Sequence, residues 1–218
     1  MKKVLISLFV LLASGILANA QQTWFPSKVG TKLTYTSYDR KGKVTDTYTY
    51  TVTDVTKDGG KTTYFFNIET FDAKGTSTGM VVPGKMWSAE GYLHTDAKAS
   101  LSGVINLNEV TIKGHAPILP ENPSNGTLQD CKVIVESLMT ELYWSNLKVT
   151  TGQTVTTAAG TFNDAMLLEY DSLSKVTIVK VQTRAKEWYV KGIGVVKSEL
   201  YNNKGALGSY KELTAIAE

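Results

Sequence analysis

The chain of 218 residues carries 23 basic and 20 acidic side chains, and hydrophobic residues make up 42% of it. So small a charge imbalance, without a basic stripe, argues against a nucleic-acid partner. The single cysteine, Cys131, excludes an internal disulfide, so the stability of the fold has to come from packing.

The first predicted element is a signal peptide. Two lysines precede an apolar stretch over residues 4–17, and Ala18-Asn19-Ala20 has the small-x-small pattern that signal peptidases cut. The apolar stretch is shorter than the roughly 20 residues that a spanning helix needs, and no later segment approaches that length. A bacterial lipoprotein would need a cysteine after the cut, where Gln21 stands. We therefore expect residues 1–20 to be removed, leaving a soluble periplasmic or secreted protein without acylation.

Residues 21–218 predict a single domain that consists mainly of β-strands. Between residues 44 and 55, apolar side chains alternate with threonines, and this period of two is typical of a half-buried strand. Thr, Val and Tyr dominate, as pleated surfaces favour. The same alternation occurs at Leu33 and Tyr35, at Tyr64, Phe66 and Ile68, at Phe162, Met166, Leu168 and Tyr170, and at Val176 and Ile178.

Three predicted turns share one pattern, in which Asp or Asn is followed three positions later by glycine. They lie at residues 39–42, 72–75 and 202–205. The Asp or Asn side chain can cap a type I turn and the glycine can adopt the left-handed conformation, so each predicts an antiparallel hairpin. Residues 57–60 predict a fourth turn of another type. Strands joined by such short turns cannot be parallel.

The middle of the chain predicts a long loop followed by a strand. Three prolines and Asn125-Gly126 exclude a central strand from residues 115–127, and a loop of this length is a candidate lid. Residues 134–143 begin with β-branched side chains, which favour a strand with room for a short helical turn after it. Cys131 follows the alternation of Val133 and Val135, so we expect an inward thiol that acts as a small hydrophobe.

Several short blocks of this chain resemble an exported, β-rich family of Bacteroidota that is known as a domain of unknown function. The resemblance covers essentially the whole mature chain and is most specific in its closing block. It implies an antiparallel barrel or half-barrel and brings no catalytic residues. The blocks are Trp24-Phe25-Pro26 with Gly30, Tyr35 and residues 39–42, then residues 159–162, and finally residues 187–199 with Glu212-Leu213.

Four motifs suggest chemistry, and each has a simpler structural interpretation. Gly75-Thr76-Ser77-Thr78-Gly79 matches a hydrolase nucleophile elbow, but Pro83 follows where that elbow needs a helix. Residues 79–85 spell the start of a phosphate-binding loop, yet Met86 stands where magnesium requires Ser or Thr.

The remaining two motifs are pairs of ionisable side chains. His94 with Asp96 could form a weak metal or acid-base pair, although ordinary surface residues explain them better. Glu187 and Glu199 could form an acid and base pair, but charged residues beside turns are usually solvated. We predict no catalytic, metal-binding or cofactor-binding residues, and an enzyme is the less favoured interpretation.

Large and adaptable apolar side chains are the remaining candidates for a binding site. On the concave side of a curved sheet they would either fill the core or line a ligand pocket. The pocket candidates are Met80, Met86, Trp87, Met139, Trp144, Met166 and Trp188.

The sequence predicts an all-β protein with little helix, in which one curved antiparallel sheet forms a barrel or half-barrel. Three functions stay open. The first is a non-enzymatic binding or carrier module of the cell envelope for an apolar or amphipathic ligand, because such barrels enclose cavities. The second is a structural or protein-interaction component of the envelope. The third, a serine hydrolase using Ser77 and a histidine, is the least favoured.

Overall fold

The computed structural model describes residues 23–97 and 111–218, so the predicted signal peptide and its cleavage site lie outside the described residues. Of the residues that the structure describes, 72% lie in strands and almost none in a helix, which confirms the all-β prediction. In the described part, no helix has the length and apolar character needed to cross a membrane.

The described residues form fourteen strands that all belong to one sheet. The first seven are β1 Lys32–Asp39, β2 Val44–Asp58, β3 Lys61–Asp72, β4 Ser77–Ala89, β5 Tyr92–Thr95, β6 Ile112–Gly114 and β7 Leu119–Pro120. The other seven are β8 Gly126–Thr127, β9 Cys131–Val135, β10 Thr140–Thr157, β11 Gly160–Val176, β12 Val179–Val190, β13 Gly194–Asn202 and β14 Leu207–Ala217.

The sheet is antiparallel and curved into a half-barrel that does not close by strand pairing. Its order is β6-β9-β10-β11-β12-β13-β14-β1-β2-β3-β4-β5-β7, and β8 pairs with β10 beside this path. The two edge strands, β6 and β7, belong to one continuous stretch, residues 112–120, which we call the crossing segment. Only residues 115–118 separate them, so the two edges lie within about 18 Å of each other. The crossing segment therefore spans the gap between the edges.

The three turns of the shared pattern are confirmed, and they use the same hydrogen bonds. In the first turn, the Oδ1 atom of Asp39 accepts the backbone N–H groups of Lys41 at 2.8 Å and Lys43 at 2.9 Å. Asp72 and Asn202 each accept the equivalent pair of N–H groups in their own turns. The fourth turn is also confirmed as a different type, because Gly59 and Gly60 both have positive φ, 52° and 82°.

Two irregularities depart from simple alternation. A regular strand would place Val52 and Val55, which are three positions apart, on opposite faces. The register of β2 against β3 shifts between Val52 and Asp54, and this bulge allows both side chains to pack in the core. The predicted strand alternation at Val176 and Ile178 is wrong, because Ile178 belongs to the two-residue turn between β11 and β12 and is 94% exposed. Short apolar pairs beside a tight turn carry too little periodicity to distinguish strand from turn.

The middle of the chain largely follows the prediction. Cys131–Val135 is a strand, and a single 3-10 turn, Glu136–Leu138, connects it to β10. The Pro-rich residues 115–127 contain only the short pairings of β7 and β8.

The main core occupies the concave side of the sheet. The N-terminal segment inserts there, with Trp24 only 1% exposed and Phe25 5% exposed. The indole Nε1 of Trp24 donates to the carbonyl oxygen of Pro120 at 2.8 Å, and the ring of Phe25 packs 5.0 Å from that of Phe66. The segment therefore closes part of the half-barrel and ties it to the crossing segment.

Candidate functional site

A cavity of about 390 Å³ lies inside the half-barrel. Alternation along β3, β4 and β5 directs apolar side chains into it, because every second residue of a strand faces the same side. This volume is within the range of small-molecule sites. The apolar wall consists of Phe25, Phe66, Ile68, Met86, Leu93 and Trp144.

The crossing segment covers one side of the cavity. Three of its residues line the cavity, namely Ala116, Pro117 and Leu119. Ala116 and Leu119 are each 4% exposed, so they pack inward rather than project into solvent. The structure thus brings part of the predicted lid loop, residues 115–127, against the predicted pocket residues Met86 and Trp144.

The opposite part of the cavity wall is polar and rich in tyrosine. The carboxylate of Glu187 accepts hydrogen bonds from the hydroxyls of Tyr170 at 3.1 Å and Tyr189 at 2.6 Å, one on each oxygen. Burial, followed by the charge of Glu187, raises the pKa of both tyrosines well above the ordinary value. Both phenols therefore stay protonated at neutral pH and remain donors to this carboxylate.

Two further tyrosines, Tyr35 and Tyr50, belong to the same polar wall. The hydroxyl of Tyr35 donates to the carbonyl oxygen of Val195 at 2.8 Å. Burial is the largest cause that raises the pKa of Tyr50 to about 12, and it also raises the pKa of Tyr35. The polar wall is therefore lined by neutral phenols around a small number of charged groups.

Lys211 supplies the cation of the polar wall. Strand pairing sets Glu187 opposite Ser198 and Ser198 opposite Lys211, so the two charged residues lie two strands apart on one face. Burial lowers the pKa of the Lys211 ammonium. The nearby side chains of Tyr48, Tyr50 and Glu187 favour its charged form more strongly, so this pKa lies above its ordinary value. Lys211 is therefore a cation at neutral pH.

The structure brings only some of the predicted pocket residues together. Met86 and Trp144 line the cavity, and Met166, which is 1% exposed, packs in the core cluster beside it. Trp188 packs against a second core cluster with Lys197 over its ring at 5.5 Å. Trp87 stacks on His94 with the ring centroids 5.2 Å apart, away from the cavity.

Met80 and Met139 also lie apart from the cavity. Their side chains are 51% and 67% exposed. Met80 follows the turn at the start of β4, and Met139 has a left-handed backbone after the 3-10 turn. Apolar character alone does not reveal which face a side chain takes near a turn.

The polar wall was missed by sequence reasoning, although one signal for it was present. Lys211 stands two positions before Leu213, which is fully buried, so alternation assigns both to the inner face. A lysine at an inward position of a strand is unusual and marks a candidate site. The inward tyrosines give no such signal, because tyrosine is also common in ordinary strands.

The motifs for hydrolysis and phosphate binding form no site. Ser77 begins strand β4 and donates to Glu69 at 3.1 Å, so no helix follows it as the nucleophile elbow requires. Residues 79–85 lie within the same strand and not in a loop. Glu187 and Glu199 face opposite sides of the sheet, because Glu187 pairs with Ser198 while Glu199 pairs with Lys186.

His94 and Cys131 occupy structural positions. Burial, with a smaller effect of His115, lowers the pKa of His94. Cys131 is 8% exposed, and burial raises the pKa of its thiol to about 11. Both observations agree with the prediction of an inward thiol that acts as a small hydrophobe. Among the residues that the structure describes, no group of three or more His, Cys, Asp and Glu side chains could hold a metal ion.

Two crystal structures share the fold. One is a Bacteroides fragilis protein classed as exported, with a YmcC-like fold; it has 24% identity and a TM-score of 0.73 over 90% of this chain and 100% of its own. The other is a Parabacteroides distasonis protein classed as a lipoprotein, with 20% identity and a TM-score of 0.71 over 90% of this chain and 99% of its own.

No protein of curated function matches the chain. A family model does match, and it spans residues 28–213, which include every strand from β1 to β13 and most of β14. The match covers most of the sequence and agrees with the shared fold of the two crystal structures. The chain therefore belongs to the DUF3108-like family.

Proposed function

We propose that this protein is a non-enzymatic binding or carrier module of the cell envelope for an amphipathic small molecule. The observation that carries this proposal is the cavity of about 390 Å³, whose wall is apolar on one side and polar on the other. A cavity with two such walls matches a ligand with an apolar body and a polar end. As part of this proposal, residues 1–20 are cleaved after Ala20 and residues 21–218 act as one domain in the periplasm or outside the cell.

The crossing segment supports the same function. It covers the cavity with Ala116, Pro117 and Leu119 but contributes only three-residue and two-residue strands to the sheet edges. Few backbone pairings hold it, so it can open at lower cost than the central strands. A ligand could enter at this side of the half-barrel.

The proposal is tested by the saturable binding of a neutral apolar fluorescent dye to the purified protein. Trp144→Ala should weaken dye binding about tenfold, since it removes a large apolar part of the cavity wall. Trp87→Ala is the matched control and should stay within about twofold of the native protein, because Trp87 stacks on His94 outside the cavity.

A second measurement is mass spectrometry of an organic extract of the protein purified from its native envelope. Lipid-like material should co-purify at a ratio that Trp144→Ala reduces. If the dye does not saturate and the extract contains nothing bound, the binding function is wrong.

A second candidate function, an interaction component of the envelope, is favoured by an exposed apolar tip. We define the apolar tip as the end of the β11–β12 hairpin with the adjacent Met139, whose carbonyl oxygen accepts the N–H of Thr177 at 3.0 Å. Val176 is 45% exposed, Ile178 94% and Val179 58%. Apolar side chains exposed together are typical of contact surfaces.

We expect a photo-crosslinking residue at position 178 to join the protein to one envelope protein in living cells. The same residue at Lys74, on the exposed turn after β3, is the control and should give no such product. If both positions give the same pattern of products, the apolar tip is not a specific contact surface.

A further inference from the structure

The polar wall of the cavity distinguishes between kinds of ligand end group. It contains one carboxylate, Glu187, and one ammonium, Lys211. The two are not equivalent, because their hydrogen-bonding capacity is used to different extents. We expect the ligand to interact with the group that has fewer protein partners.

Glu187 already has a protein donor on each of its two oxygens. Each of its oxygens accepts a tyrosine hydroxyl, from Tyr170 at 3.1 Å and from Tyr189 at 2.6 Å. Both tyrosines stay protonated at neutral pH, so these hydrogen bonds persist and disperse the negative charge. A cationic ligand would have to compete with two built-in donors.

Lys211 has more capacity left. Within the described residues, no carboxylate lies at ion-pair distance from its Nζ atom. Its neighbours are phenols, since Nζ lies 5.4 Å from the ring centroid of Tyr48 and 5.8 Å from that of Tyr35. An ammonium has three donors, so part of this capacity stays free for a ligand.

An anion that enters the cavity would form an ion pair with Lys211, which no carboxylate of the described residues forms. We propose that the ligand is an amphipath with an anionic head group, and that Lys211 anchors this head group while the apolar wall holds the chain. This proposal rests on the binding function proposed above. A carboxylate of a fatty acid and a phosphate of a lipid share the required chemistry.

The experiment compares four probes with the same alkyl chain by isothermal titration calorimetry, with the ionic probes below their critical micelle concentrations and the alcohol below its solubility limit. These are dodecanoate, monododecyl phosphate, dodecanol and dodecyltrimethylammonium. Both anions should bind at least about tenfold more tightly than dodecanol, and the cation should bind most weakly. The tighter of the two anions then identifies whether a fatty acid or a lipid phosphate is the better source of the head group.

Variants of Lys211 separate the charge from the shape of the site. Lys211→Met should bring the affinity for both anions down to that for dodecanol, while Lys211→Arg should keep the preference for anions. Lys197→Met is the matched control, because Lys197 is a half-buried lysine on neighbouring strand β13 that pairs with Glu199 at 3.0 Å on the opposite face.

The outcomes distinguish this inference from the function on which it rests. If dodecanol or the cation binds the native protein as tightly as the anions, or if Lys211→Met keeps the preference for anions, the head-group assignment is wrong and the binding function stands. If Lys211→Met fails to fold, the comparison of the four probes on the native protein decides alone. If none of the four probes binds, the binding function itself is wrong.

Discussion

Gly114→Ala should lower the free energy of unfolding by about 3–5 kcal/mol, which is a large part of the stability of a single domain. Gly114 ends strand β6 with φ +84°, and a Cβ atom there would overlap the backbone carbonyl oxygen of Lys132. That oxygen also accepts the N–H of His115 at 2.9 Å. The backbone at Gly114 and the backbone at Lys132 can move apart only if this hydrogen bond breaks. The crossing segment would therefore separate from β9. Urea denaturation followed by tryptophan fluorescence measures the change.

Gly75→Ala is the matched control for this prediction. Gly75 has nearly the same conformation, φ +80°, but a Cβ atom there would meet nothing within 4 Å. Its cost should be about 1–2 kcal/mol, which is the conformational part alone. If the two variants lose equal stability, then the close approach of Gly114 to Lys132 does not hold the crossing segment in place.

The half-barrel could be predicted from the sequence because its strands are long and their signals are local. The alternation of Tyr64, Phe66 and Ile68 and the side-chain capping by Asp39 each act within a few residues, so the sequence alone reveals them. Tight turns then require antiparallel neighbours. The same reasoning failed at Ile178, where two apolar residues beside a turn imitate a strand.

The site could be predicted only in part because it depends on contacts that are distant in sequence. Met86 and Trp144 reach the cavity from strands that are not neighbours, while Met80 lies on the same strand as Met86 and is exposed. The sequence indicates Glu187 as one of a possible acid and base pair with Glu199, but its partners Tyr170 and Tyr189 come together only when β11 and β12 pair. Register and curvature, which no local pattern encodes, decide which polar groups meet.

Trp24→Ala should lower the free energy of unfolding by about 3–5 kcal/mol and should also loosen the cover of the cavity. The indole of Trp24 is 1% exposed, and its ring packs edge-on against that of Tyr189 at a centroid distance of 6.2 Å. Its Nε1 atom donates a hydrogen bond to the carbonyl oxygen of Pro120 at 2.8 Å. Removing the ring leaves a void inside the half-barrel and frees the end of the crossing segment.

Two further variants separate these effects in the same denaturation experiment. Trp24→Phe keeps most of the packing but loses the hydrogen bond to Pro120, so it should cost about 1–3 kcal/mol. Amide hydrogen exchange of this variant should be faster at Ala116, Ile118 and Leu119, the residues of 116–119 that carry an amide hydrogen, since that stretch then lacks its anchor. Trp87→Ala removes a half-buried indole that stacks on His94 outside the core, and it should cost about 1 kcal/mol.

If Trp24→Ala loses no more stability than Trp87→Ala, the N-terminal segment does not form part of the core. If Trp24→Phe leaves exchange at residues 116–119 unchanged, the hydrogen bond to Pro120 does not restrain the cover of the cavity.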